Sequence, residues 1–112
     1  MLDAVEAEGG IGHARISVRE AVEAANNTLT ALLGVDADAI RRVRFSALLA
    51  VGQRAGFAQA LESVFRSGQP ARIASQVVTR DGLAVDVTLA IAEVRGPYAS
   101  DGAVVLVTRR PA

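Results

Sequence analysis

The chain predicts an α+β domain: one antiparallel sheet of five strands whose two halves are separated by a helical insert between the second and third strands. Two short strand-like pieces, residues 11–18 and 21–25, open the chain; three longer ones, 72–80, 83–94 and 103–108, close it, and helical spacing fills the interval. In the long pieces Val85, Val87, Leu89 and Ile91 share one face by the two-residue period of a strand. Asp86, Thr88 and Glu93 are read as breaking up the other face, which favours a half-solvated antiparallel sheet over a buried parallel one. The third observation is Arg80-Asp81-Gly82-Leu83, because Asp-Gly between β-rich flanks is a strong hairpin signal in which both central residues take positive φ.

Each element has a local cause. Residues 2–8 allow a short leading helix, and Gly9, Gly10 and Gly12 then loosen the chain before the first strand, so residues 1–10 read as a leading helix and linker and 11–110 as a single domain. Asn26-Asn27-Thr28 precedes Leu29, Leu32 and Leu33, which recur at helical spacing, and asparagine accepts well from the free N–H groups of a first turn. Gly34 stops that helix by supplying a left-handed residue. Asp36 reads as a second N-cap, with Asp38 in the first turn of a short helix through Ile40 and Arg41, where carboxylates favour the positive end of the dipole. A third short piece follows at 45–49. The longest helix is expected over 53–67, since Phe57, Leu61, Val64 and Phe65 form one apolar stripe, and Gly68 and Pro70 end it.

Composition bounds the function. Of 112 residues, 51% are hydrophobic, enough for one core without covalent staples. Cysteine is absent, which removes disulfides, thiolate metal sites and thiol nucleophiles. All twelve basic residues are arginine, and they balance twelve acids to zero net charge, so no electrostatic grip on nucleic acid is expected. Apolar runs fall far short of the roughly 20 residues of a membrane span, and the start lacks the basic and apolar regions of a signal peptide. The expected setting is cytoplasmic, and the alanine-rich, lysine-free composition points to a GC-rich bacterial genome.

The ordered motifs resemble a PAS domain. Ile11-Gly12-His13-Ala14 is similar to that family's glycine-containing first strand, Asn26 followed by Gly34 to its Asn-to-Gly span over the first helix, Arg80-Asp81-Gly82 to its basic-Asp-Gly turn, and Asp101-Gly102 to the turn before its last strand. The likeness covers about residues 8 to 110. Two departures stand out: Val18-Arg19-Glu20 replaces the usual Asp-x-x-Gly turn, and Thr108-Arg109-Arg110-Pro111 stands where many members carry Asp-Ile-Thr; the second puts the familiar coupling route to a following helix in doubt. Roadblock-like and other profilin-like modules also mix such a sheet with helices, although a long helix before the third strand argues against most of them.

The resemblance implies haem, flavin, metabolite or protein partners. Cysteinyl flavin and coumaryl chromophores are excluded by the absence of cysteine. Haem is disfavoured because the long helix carries no histidine, and the single one, His13, is read as a strand residue without a ligand role. Flavin is disfavoured because no tryptophan is present to pack on the ring. A small metabolite remains open, in a pocket between the sheet and the helices lined by Phe45, Leu48, Phe57, Leu61, Val77, Val87, Leu89 and Val105, residues that are first of all the expected core. Arg41, Arg42 and Arg44 form a basic cluster that can orient an anion or serve as a solvated face. Catalysis is not expected: Glu6, Glu8, Glu20, Glu23, Asp36, Asp38 and Glu62 read as caps, turns and polar faces, and no phosphate loop, nucleophile motif or metal spacing occurs. No metal ligand set is expected.

Three functions follow. The first is the sensory input module of a bacterial signalling protein, above all a sensor histidine kinase, in which a metabolite biases the fold. The second is a ligand-free module that homodimerises or docks a partner through the sheet face and residues 2–8. The third is the regulatory domain of a transcription factor. In each the output domain or partner lies outside this sequence.

Overall fold

The computed structural model describes residues 10–110. The five strands are β1 (Gly12–Ile16), β2 (Val22–Ala25), β3 (Ala71–Val78), β4 (Ala84–Arg95) and β5 (Ser100–Arg109). They form one sheet in the order β2-β1-β5-β4-β3, with every pairing antiparallel. The insert between β2 and β3 holds α1 (Asn27–Leu33), α2 (Ala37–Ile40), two 3-10 turns (Phe45–Leu48 and Val51–Gln53) and α3 (Arg54–Ser67). The expected leading helix over residues 2–8 lies outside the described residues.

Helix ends follow the predicted caps. The Asn26 carboxamide oxygen accepts from the Leu29 N–H, Gly34 closes α1 at φ 73°, the Asp36 carboxylate accepts from the Ala39 N–H, and Gly68 closes α3 at φ 74°. Helix α3 buries Phe57, Leu61 and Val64 against β3 and β4, while Phe65 is half-buried at the margin of the stripe. The piece expected at 45–49 takes the tighter 3-10 form.

Sheet parity sorts the side chains. Register places Ala14, Ile16, Val77, Val87, Leu89, Ile91, Val105 and Val107 on the inner face, all fully buried, whereas His13, Arg15, Arg72, Thr88, Ala90, Val104 and Leu106 lie on the outer face. The expected placement of Glu93 on the polar face is corrected: it stands two residues beyond Ile91, opposite Ala103, so the same period turns it inward. Its side chain is 6% exposed, and its carboxylate accepts from the Ser100 hydroxyl beside Arg95 at 3.7 Å.

Two turns and one strand glycine differ from expectation. The β3–β4 hairpin is not a two-residue turn with two positive φ values. Only Gly82 is left-handed, at φ 85°; the Gly82 N–H donates to the Thr79 carbonyl and the Thr79 N–H to the Leu83 carbonyl, so the loop is a tight turn closed by a left-handed glycine. Asp101 and Gly102 lie inside β5, and the reversal before it is at residues 96–99, where the Gly96 N–H donates to the Ala99 carbonyl at 2.8 Å. Gly102 is needed there because at φ 131° a Cβ would run into the Ile16 carbonyl oxygen as β1 crosses. Gly12 likewise does not loosen the chain but sits within β1, where a Cβ would stand 3.2 Å from that of Val107 and 3.3 Å from that of Leu29.

Between β1 and β2 the turn survives its altered sequence. The Ser17 hydroxyl accepts from the N–H groups of Arg19 and Ala21, the part a short acceptor plays at the head of such a turn, and Glu20 takes the left-handed position at φ 72°. Glu20 is the sole non-glycine residue among those described with positive φ.

Candidate functional site

The inner face of the sheet and the insert enclose one apolar cluster, and the predicted pocket residues lie in it. Phe45, Phe57, Leu61, Val77, Val87, Leu89 and Val105 are buried, and Leu48 is half-buried against them. Phe45 comes from the first 3-10 turn and Phe57 from α3. Their rings meet with centroids 4.9 Å apart and planes tilted by 35°, within the separation at which aromatic pairs attract. Two helical pieces therefore meet through one aromatic contact.

Polar groups border this cluster at three points that sequence reasoning missed. Ser75 is 4% exposed on the inner face of β3, opposite Val87, and its hydroxyl has no hydrogen-bond partner among the described residues. A buried hydroxyl without a partner is costly, and a ligand or water that reached it would recover that cost. Its signal in the sequence is parity, since Ser75 falls between Ile73 and Val77 on the apolar face. Glu93, also legible by parity, lies at the end of the cluster near Gly68, whose Cβ would stand 3.8 Å from a Glu93 carboxylate oxygen. Glu20 is not a solvated turn residue as expected: it is 8% exposed, and its carboxylate accepts from the Ser46 N–H at 3.2 Å and faces Arg44 at 3.5 Å. No alternation or motif announces that contact, because it joins positions 26 residues apart.

The arginine cluster is divided by the fold. Arg41 pairs with Asp38 at 3.0 Å and Arg44 with Glu20, and the side chains of both arginines remain more than half exposed. His13 is exposed on the outer face opposite Leu106, across the sheet from the apolar cluster. An open polar hollow of about 310 Å³ lies along β3, lined by Gln53, Ala74, Ser75, Gln76, Asp86 and Arg110, and none of the predicted pocket residues borders it. No group of three or more His, Cys, Asp or Glu side chains with metal-binding geometry occurs among the described residues.

The signature residues brace the frame around the cluster. The Asn26 carboxamide accepts from the His13 N–H at 2.9 Å and donates to the Ile11 carbonyl at 2.9 Å, which stitches α1 to β1. Gly34 and the Asp81-Gly82 hairpin meet where the Arg80 N–H donates to the Leu33 carbonyl at 2.8 Å. These residues build the site without lining it.

Neither a protein-family model nor a curated protein matches this sequence. Solved structures do. The PAS domain of a protein from Colwellia psychrerythraea superposes with a TM-score of 0.84 at 11% identity, over 96% of this chain and 92% of that one. A domain of the sensory box sensor histidine kinase/response regulator from Geobacter sulfurreducens gives 0.71 at 19% identity, over 88% of this chain and 82% of that one. The PAS-B domain of Drosophila melanogaster Cycle, solved with bound ethylene glycol, gives 0.76 at 11% identity, over 88% of this chain and 97% of that one.

Proposed function

The chain has the PAS fold, and from that premise we propose that it is the sensory input module of a bacterial signalling protein, with a sensor histidine kinase as its best-supported parent. In this reading the domain is cytoplasmic and non-catalytic, and a small, largely apolar metabolite occupies the space between α3 and the inner face of the sheet. No described helix is long and apolar enough to cross a membrane. The observation that carries the metabolite reading is the buried, unpartnered Ser75 hydroxyl at the border of the apolar cluster, a polar group free to meet a polar atom of a ligand. The Cycle structure, with ethylene glycol bound, is a fold relative that takes up a small hydroxylated molecule. The same residues disfavour haem, since the single histidine faces away from the cluster, and flavin, since no tryptophan lines it.

Native mass spectrometry of the purified domain, set against its denatured mass, tests this reading. A retained small-molecule mass supports it; an apo mass from protein made in several hosts overturns it. A second reading, a ligand-free dimerisation module, is favoured by the outer face, where Ala90, Ala92, Val94, Val104 and Leu106 leave an apolar stripe that the described helices, packed on the inner face, do not bury. A clean apo dimer would select it.

A further inference from the structure

Residues 43–50 form a strap across the insert that is pinned to both edge strands of the sheet. At one end the Val22 N–H donates to the Val43 carbonyl, Ala21 bridges Arg44, and the Phe45 N–H donates to the Glu20 carbonyl at 2.8 Å. At the other, the Ala50 N–H donates to the Gln76 carbonyl at 3.0 Å and Leu49 bridges Val77. Between the pins, Phe45 and Leu49 are fully buried in the apolar cluster, and the Phe45 ring packs against Phe57 of α3. The strap therefore both covers the core and contributes to it, and few backbone bonds at each end hold it down.

Glu20 stands at the first pin in a conformation costly for any residue with a side chain, φ 72°, where glycine would fit freely. An outlier of this kind persists where its surroundings over-determine it, and here they do: the backbone carbonyl holds Phe45, one carboxylate oxygen holds the Ser46 N–H, and the other faces Arg44. The left-handed turn is what aims the carboxylate at the start of the strap. Because the carboxylate is nearly buried, its bond to the Ser46 N–H is of the stronger, charge-assisted kind, whereas the contact with the two-thirds exposed Arg44 adds little.

We propose that Glu20 is a latch that holds the 43–50 strap closed over the core, and that local release of the strap is the entry route for a small apolar molecule. The entry half rests on the pocket reading above; the latch half stands alone. The chain has no cysteine, so Leu49→Cys creates a single buried thiol on the strap and Leu89→Cys a control thiol in the central sheet. Labelling rates of both are measured, without ligand, in backgrounds of Glu20, Glu20→Gln, Glu20→Ala and Glu20→Gly. The latch predicts labelling at Leu49→Cys about tenfold faster or more in Glu20→Ala and Glu20→Gly, and a smaller acceleration in Glu20→Gln, whose amide oxygen can still accept from the Ser46 N–H, with a much smaller change at Leu89→Cys. Equal acceleration at both sites, or none at Leu49→Cys, overturns it. Glu20→Gly relieves the strain at this φ and removes the carboxylate, so wild-type labelling in that variant also overturns it. Retained ligand mass decides the pocket reading separately, and labelling decides the latch.

Discussion

Asn26 serves sheet and helix with one side chain. Its oxygen accepts from the Leu29 N–H at 3.0 Å and the His13 N–H at 2.9 Å, and its amide nitrogen donates to Ile11. Asn26→Ala is expected to cost about 2 kcal/mol, the upper range for loss of a helix cap, because two contacts with β1 are lost together with the cap. Asn26→Asp, which keeps the acceptors and loses the donor, should cost roughly half as much by denaturant titration. An Asn26→Ala loss below about 0.5 kcal/mol, the bottom of the capping range, would show that this side chain does not seat α1 on the sheet. Residues of this type are legible in sequence because capping is local chemistry. Ser75 and Glu93 are legible only when parity is followed through a polar residue, and Glu20 is not legible at all, because its partner, Ser46, is 26 positions away.

The elements show the same division. Helix α3 follows from the spacing of Phe57, Leu61 and Val64 and from the stop at Gly68. Leu61→Ala should lower stability by about 2–5 kcal/mol, because the side chain packs between helix and sheet with 4% exposure. A thermal midpoint indistinguishable from that of the parent would mean that this stripe does not face the sheet. Gly56 is exposed in the first turn of the same helix, and a Cβ added there would meet nothing within 4 Å, so Gly56→Ala is expected to stabilise by about 0.5–1 kcal/mol. A loss on chemical denaturation would place a neighbour against that position. The β3–β4 hairpin is legible as a reversal but not in its turn type. The left-handed requirement falls on Gly82 alone, while the Arg80 N–H bonds to the end of α1, a contact that no dipeptide rule contains.

At the scale of the whole molecule, the insert is tied to both edges of the sheet, through one bridge at each. The strap bridges Ala21, next to β2, and Val77 of β3, so a segment read in sequence as a short helical piece is also the clasp of the sheet. That arrangement leaves the outer face as the open surface of the described residues, and it separates the two functional readings in space: a metabolite belongs inside, a partner outside. Leu106→Arg, at the centre of the outer stripe on β5, is expected to reduce any dimer mass in light scattering while leaving the thermal midpoint of the dilute monomer nearly unchanged. An unchanged dimer would exclude this face as the contact. A ligand for the inner site present at about 100 times its Kd should raise stability by about 2.7 kcal/mol, since mass action requires it of anything that binds only the folded state.

Local chemistry along the chain sets the element order, the helix caps at Asn26, Asp36, Gly34 and Gly68, and the apolar faces of α3 and β4, because these depend on residues within a few positions of one another. Tertiary structure decides why Gly102 must be glycine and which backbone group the Glu20 carboxylate holds. Those outcomes depend on strands and turns that are distant in sequence and meet only when the sheet closes, and neither period nor propensity carries information about such encounters.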